Sequence, residues 1–282
     1  MMANFLELFS NPSIAKIVII AAVVGVLVSL CASLLGVSLV LKRYSMIGDG
    51  LSHVGYGALA IATALNLSGD YTLEISLPIV VIAAFLLLRL SNNSRINNDS
   101  AIALLSVGAM AIGTIIFSLT GASAGDACNS LFGSASLITL NEKDMYISIA
   151  IAVLVLLFYI VFYNRIFSVT FDEDFSKASG INVKFINSAL ALLTAVTIVL
   201  GMQLMGAILV SGLIIFPSLT AMRVCRSFKG TVITAAAISV ISFIVGFLSA
   251  CLLNLQTGPA VIAVNIIAFV IFSVIGKLTK LS

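Results

Sequence analysis

Long apolar runs alternate with short polar segments along the whole chain. A helix needs about 20 apolar residues to cross a bilayer, and nine runs come close to that length. The pattern predicts an all-α, polytopic membrane bundle built as one domain over residues 1–282. The turn between the sixth and seventh runs, around Gly201, must be tight, and region 121–144 leaves room for a re-entrant segment. The predicted spans are 13–41, 46–66, 73–90, 100–120, 145–163, 184–201, 203–222, 230–253 and 259–276.

The basic residues fall almost entirely on one side of this arrangement. The chain has 14 Lys and Arg residues, and all but Lys16 and Lys143 lie in or beside loops that follow odd-numbered spans. Lys and Arg accumulate in the cytoplasmic loops of membrane proteins. The distribution therefore predicts an N-terminus outside the cell and a cytoplasmic C-terminus.

Composition supports the membrane assignment. The chain is 61% hydrophobic and 9% charged, with a mean hydropathy of +1.24, whereas soluble domains are about 45–50% apolar and about 25% charged. The formal net charge of +3 is small and gives no indication of nucleic-acid binding. Almost nothing is left for a soluble domain once the apolar runs are marked.

Asp49 and His53 are the candidate chemical groups of the second span. His53 is the only histidine in the chain, and positions i and i+4 share one face of a helix. Ionisable groups within a membrane span mark transport paths or buried functional pairs, and a carboxylate with an imidazole forms a partial ligand set for zinc, manganese or iron(II). The alternative is a structural pair between helices. The surrounding small residues predict an internal helix rather than a lipid-facing one: Gly48, Gly50, Ser52, Gly55 and Gly57.

The most polar stretch of the chain is the basic-side loop 171–182. Asp172, Glu173 and Asp174 favour the N-terminus of a short helix, and Gly180 is a natural C-terminal stop. One interpretation is a solvated connector between spans. The functional interpretation is a helix on which a partner protein docks.

The chain has no phosphate-binding motif of the GxxxxGK[ST] type. The nearest fragment, Gly276-Lys277-Leu278, fails the pattern at both ends. If ATP drives transport here, the ATPase must be another chain.

Pro217 lies well inside the seventh span. Proline removes a backbone hydrogen bond and kinks a helix. Ser218 or Thr220 is expected to bond the carbonyl group that the proline leaves without a donor.

These features, in this order, resemble the integral-membrane permeases of ATP-binding-cassette metal importers, which take up zinc, manganese or iron. Four stretches carry the resemblance: 41–49 leading into Asp49-x-x-x-His53, Asn-Ser-Leu-Phe-Gly-Ser at 129–134, 171–180, and 206–221. Ser134 stands where many relatives carry an acidic residue, so a possible attraction for cations at the outer face is missing.

The resemblance implies a plasma-membrane bundle of eight or nine helices that forms a homodimer around a central path. It implies that Asp49 and His53 contact the metal, and that loop 171–180 is a coupling helix on a cytoplasmic ATP-binding subunit. An extracytoplasmic metal-binding protein would deliver the ion. The permease would be no enzyme and would hold no permanent cofactor, since the metal is its cargo.

The identity of the metal stays open at this stage. A single histidine with carboxylates suits manganese or iron(II) as well as zinc, and zinc is preferred because the chain looks most similar to that branch. Two copies of the pair would supply four ligands in a dimer. A proton-coupled secondary transporter using Asp49 and His53 as a relay is one alternative, but it leaves the acidic loop unexplained. An intramembrane hydrolase is another, but catalytic zinc usually has three protein ligands and no second histidine exists.

Overall fold

The structure, a computed structural model, describes residues 12–42, 44, 46–65, 72–91, 98–120, 142–253 and 255–278. Within these ranges all regular secondary structure is α-helical, which confirms the predicted all-α fold class. The helices are α1 (Pro12–Leu41), α2 (Ile47–Ala64), α3 (Thr72–Ser91), α4 (Asn98–Leu119), α5 (Glu142–Val161), α6 (Tyr163–Phe171), α7 (Glu173–Ala178), α8 (Val183–Met205), α9 (Ala207–Met222), α10 (Phe228–Leu253) and α11 (Thr257–Leu278).

Each of the nine predicted spans corresponds to one of the longer helices, although not all nine are equally suited to cross a bilayer. By length and apolar composition, five helices of the described ranges qualify, namely α1, α4, α8, α10 and α11. Helix α5 with α6 would make a sixth span, but the pair is bent by 72°. The remaining helices are shorter or more polar: α9 has 16 residues, the apolar part of α3 covers Ile75–Leu87, and α2 carries Asp49 and His53.

The turn between the sixth and seventh spans is as tight as the sequence requires, but it lies later than expected. Helix α8 runs through Gly201 to Met205, and Gly206 alone separates it from α9. Gly206 has φ 87° and ψ 156°, a conformation that side chains with a Cβ rarely adopt. A Cβ on Gly201 would lie 2.6 Å from Val210, so the two helices fold back on one another.

Helix α1 is the centre of the bundle and packs against α5, α8, α9 and α10. Small residues allow this close approach, because a Cβ on Gly25 would collide with the Phe243 ring and one on Gly36 with the backbone oxygen of Ile214. Ser239 of α10 also donates a 2.8 Å hydrogen bond to the backbone oxygen of Ser29 in α1. One apolar core unites α1 with α2, α3, α4, α8 and α9, and a second unites α1 with α5, α6 and α8.

The outward faces of several helices are apolar and exposed. Leu104 of α4 and Ile160 of α5 are each more than 70% exposed, and α11 exposes Ile267, Val270 and Val274. Apolar side chains facing away from the bundle suit hydrocarbon rather than water. The chain is therefore a multi-pass membrane protein.

Candidate functional site

Helix α2, which carries the candidate metal pair, is enclosed by its neighbours. It packs against α3, α4, α8 and α9, and glycine makes each approach possible. A Cβ on Gly48 would lie 2.9 Å from the Ile214 side chain, and one on Gly50 would lie 2.7 Å from Ile102. One on Gly57 would lie 2.9 Å from the Ala109 backbone oxygen. The predicted internal position of this helix is therefore confirmed.

Asp49 and His53 occupy the part of α2 that the bundle leaves partly open. Asp49 lies in the first turn, where a negative charge interacts favourably with the helix dipole. The Asp49 side chain is 42% exposed and that of His53 is 21% exposed. Most of the other residues in the first half of the helix are buried. Asp49 and His53 thus form the polar, partly exposed part of a helix whose neighbouring residues are packed.

The two side chains face each other without closing a hydrogen bond. The His53 Nε2 atom lies 3.6 Å from Asp49 Oδ2, beyond the usual hydrogen-bonding distance of about 2.7–3.2 Å. Among the described residues, no hydrogen-bond partner is found for the buried Nδ1 atom of His53. A carboxylate and an imidazole that do not satisfy each other remain available to a ligand.

One chain supplies an incomplete ligand set in the part that the structure describes. No group of three or more His, Cys, Asp or Glu side chains is placed to hold a metal ion among those residues. Zinc, manganese and iron(II) all take at least four ligands. Asp49 and His53 can make at most a partial contact with a passing ion, and water or further protein groups must supply the rest.

The predicted short helix in loop 171–182 is α7, and its start is fixed by Asp172. The Asp172 side chain caps the helix by accepting hydrogen bonds from the backbone N–H groups of Asp174, at 3.0 Å, and Phe175, at 2.9 Å. The helix ends before Gly180, whose φ is 79°. The Gly180 N–H donates to the Lys177 carbonyl oxygen, so the predicted glycine stop is confirmed. A bulky residue there would strain the backbone.

The three acidic residues of this loop have different surroundings. Asp172 is the cap just described, and Glu173 contacts Lys42, which follows α1, and Asn187 of α8. Asp174 is almost fully exposed to solvent, with 95% of its side chain exposed and Lys177 3.0 Å away. Beside it, Phe175 is 64% exposed. The surface that α7 offers to a partner therefore includes Asp174, Phe175 and Lys177.

A cluster of three residues anchors this loop, and sequence reasoning did not find it. Lys42 donates to Glu173 Oε1 at 2.9 Å and to the side-chain oxygen of Asn187. Asn187 Nδ2 donates to the same glutamate oxygen at 3.0 Å. The charge pattern predicts Lys42 as a basic residue beside a cytoplasmic loop, but its side chain is 7% exposed and bonds within the chain. We call Lys42, Glu173 and Asn187 the Lys42 cluster.

The Lys42 cluster holds an ion pair at neutral pH. Burial lowers the pKa of Lys42, although the hydrogen bond and the charge of Glu173 oppose that effect. The pKa of Glu173 is also lowered: burial would raise it, but hydrogen bonds from Asn187 and Lys42 and the nearby positive charges outweigh burial. Burial outweighs the polar contacts at Lys42 but not at Glu173, because Lys42 is far more buried than the 41% exposed Glu173. Because the pKa of Glu173 is lowered, its ionised carboxylate stabilises the fold above about pH 4.3, and this stabilisation is lost as pH falls from there through the lowered pKa.

Pro217 lies inside α9, which continues without a break to Met222. The expectation that Ser218 or Thr220 would bond the freed carbonyl is wrong. Ser218 Oγ donates to the Ile214 carbonyl at 2.9 Å and Thr220 Oγ1 to that of Phe216 at 2.7 Å. The carbonyl that Pro217 leaves without its usual donor is four residues earlier. Each hydroxyl instead bonds the carbonyl group four residues before its own position. The predicted kink stays a prediction.

Two of the stretches used for the resemblance lie wholly or partly outside the described residues. The outer-loop stretch 129–134 is one of them. In the stretch 41–49, the structure does not describe Arg43 and Ser45.

The chain matches a known family over most of its length. Residues 15–276 match the ABC 3 transport family. The manganese transport system membrane protein MntC of Listeria monocytogenes is 30% identical over 89% of this chain and 88% of its own length. The high-affinity zinc uptake system membrane protein ZnuB of Haemophilus influenzae is 28% identical, over 89% and 94%. The chelated iron transport system membrane protein YfeD of Yersinia pestis is 29% identical, over 94% and 86%.

A solved structure has the same fold. PsaBC from Streptococcus pneumoniae in complex with Fab superposes with a TM-score of 0.80, covering 96% of this chain and 95% of that one, at 24% sequence identity. The family match over residues 15–276 and the 30% identical transport-system membrane protein make the chain the membrane subunit of an ATP-binding-cassette transporter, whose ATPase is a separate chain. It belongs to the ABC 3 transport family.

Proposed function

We propose that this chain is the permease of an ATP-driven importer for divalent transition-metal ions, with Asp49 and His53 contacting the ion during passage. The observation that carries the proposal is the pair itself. A carboxylate and an imidazole face each other 3.6 Å apart on the open side of a buried helix. The names of the relatives, which are manganese, zinc and iron transport proteins, support a metal as the cargo.

The proposal includes an orientation and two partners. Basic loops after odd-numbered spans favour a cytoplasmic C-terminus and an N-terminus outside. Helix α7 lies in one of those loops, so its exposed Asp174 and Phe175 would face a cytoplasmic ATP-binding subunit. An extracytoplasmic metal-binding protein would deliver ions from the opposite side, since a site with few ligands needs a supply of captured metal.

The metal proposed for the first test is zinc, on the basis of the resemblance described above. One imidazole and one carboxylate also suit manganese and iron(II), and the relatives include proteins named for each of the three metals. The choice therefore rests on transport measurements. Uptake of radioactive zinc, with manganese and iron(II) as competitors, ranks the three directly.

The site assignment is tested with Asp49→Ala and His53→Ala in cells that depend on this transporter. Each variant is expected to reduce metal uptake at least about 100-fold, because even residues that only support a metal ligand contribute about 10–100-fold. Thr63→Ala is the matched control, since Thr63 lies near the other end of α2 and bonds only the Leu59 carbonyl. Wild-type uptake of all three metals by both variants would refute the assignment. Uptake that continues without ATP would indicate a secondary transporter instead.

A further inference from the structure

The Lys42 cluster joins three parts of the chain that are far apart in sequence. Lys42 follows the end of α1, Glu173 is the first residue of α7, and Asn187 lies in the second turn of α8. Each side chain bonds both of the others. These three mutual hydrogen bonds attach the docking helix α7 to the bundle through side chains as well as through the backbone.

Because Lys42 is buried, its charge depends on the contacts with Glu173 and Asn187. The Lys42 side chain is 7% exposed, although a lysine at a helix end can usually extend its ammonium group into water. A buried charge must be paired and hydrogen-bonded, and removing one partner leaves the other uncompensated. Any displacement of Glu173 therefore acts directly on the end of α1.

From Lys42, a short hydrogen-bonded turn leads to the metal pair. The N–H of Tyr44 donates to the Leu39 carbonyl at 2.9 Å, and the N–H of Ile47 donates to the Tyr44 carbonyl at 3.0 Å. Helix α2 begins at Ile47, and Asp49 lies in its first turn. Through these two hydrogen bonds, Tyr44 is tied both to the end of α1 and to the start of α2.

We propose that the Lys42 cluster is the linkage that transmits movement of the docking helix α7 to the Asp49–His53 pair. Its members are positioning residues, since none of them is placed to touch the ion. When the ATP-binding subunit shifts α7, Glu173 carries Lys42 with it, and the turn after Lys42 shifts the first turn of α2. This inference rests on the proposed function.

The test separates transport from ATP hydrolysis in the complete complex. The permease and the ATP-binding subunit are reconstituted together in vesicles. The quantity measured is the ratio of metal ions transported (zinc, manganese or iron(II)) to ATP molecules hydrolysed. Lys42→Met keeps the apolar stem and removes the charge. It is expected to lower the ratio about tenfold, roughly the effect of losing one charge-assisted hydrogen bond, with hydrolysis within about twofold of wild type.

Further variants distinguish a linkage from a purely structural role. Asn187→Ala removes a half-buried partner and is expected to lower the ratio about threefold, one neutral hydrogen bond being weaker than a charged one. Lys42→Arg keeps a cation and is expected to recover most of the coupling. Lys277→Met is the matched control, because Lys277 is an exposed lysine in the last turn of α11, outside the cluster and outside α7, and its ratio should equal that of wild type.

Several results would overturn the linkage. An unchanged ratio in Lys42→Met is one, and a parallel loss of hydrolysis and transport is another. If Lys42→Met does not insert, an unchanged ratio in Asn187→Ala is decisive. A wild-type complex that hydrolyses ATP but moves no metal would instead refute the proposed function.

Discussion

Glycine residues in α2 set how closely this helix meets its neighbours. Gly57 and Gly113 lie where α2 crosses α4, and a Cβ on Gly113 would lie 3.0 Å from the Gly57 Cα. Gly48 and Gly50 play the same part nearer the metal pair, against α9 and α4. The position of the pair within the bundle therefore depends on these close glycine contacts.

Gly57→Ala is expected to destabilise the permease. The new Cβ would lie 2.9 Å from the Ala109 backbone oxygen, and relieving this overlap by moving backbone costs about 1–3 kcal/mol. Gly108→Ala is the control on the facing helix, since a Cβ there meets nothing within 4 Å. Alanine is favoured over glycine in a helix by up to about 1 kcal/mol. Thermal unfolding in detergent should therefore separate the two variants, and equal midpoints would contradict this packing.

Helix α7 shows how a single element divides structural and binding roles among its acidic residues. Asp172 caps the helix and Glu173 belongs to the Lys42 cluster, so replacing all three acids together would damage the loop itself. Asp174 and Phe175 are exposed and take part neither in the cap nor in the Lys42 cluster, so they can be changed without damaging the loop. A docking test must therefore change these two residues alone.

Asp174→Asn combined with Phe175→Ser is expected to weaken binding of the ATP-binding subunit. An exposed aromatic residue that anchors an interface contributes about 2 kcal/mol, which is about thirtyfold in affinity. Leu255→Ser is the control, because Leu255 is 52% exposed and lies in a loop predicted on the opposite side of the membrane. Titration of purified permease with the subunit gives the affinities. Equal affinity of the double variant and wild type would exclude α7 as the docking point.

The limits of sequence reasoning differ between kinds of element. Apolar runs of bilayer length predicted every long helix, because length and hydropathy are local properties. The α8–α9 turn was placed too early, since Gly201 and Gly206 are equally plausible breaks until Val210 is seen to pack on Gly201. The Asp49–His53 pair was predictable from helical spacing alone. The role of Lys42 was not, because Asn187 lies 145 positions away in the sequence and only packing unites them.

At the scale of the whole molecule, the partial exposure of Asp49 and His53 is relevant to how many copies of the chain assemble. In the part of the chain that the structure describes, no third ligand joins Asp49 and His53. Two copies related by a twofold axis would supply four ligands if the pairs face that axis, and symmetric association is the commonest arrangement of identical subunits. The glycine face of α2 is not the contact, since Gly55 packs against Met202 and Gly57 against Ala109. The face carrying the pair is the one left open.

We expect the permease to be a homodimer in which the starts of the two α2 helices approach each other. Met46 is 50% exposed and lies three positions before Asp49, on the same helical face. In a background without the native cysteines, Met46→Cys should form a dimer with a bismaleimide cross-linker. Gly57→Cys should not, because Gly57 is buried against Ala109. Mass measurement of the detergent-solubilised complex checks the stoichiometry independently. One permease per complex would remove the shared site, and Asp49 and His53 would then have to hand the ion on with water as its other ligands.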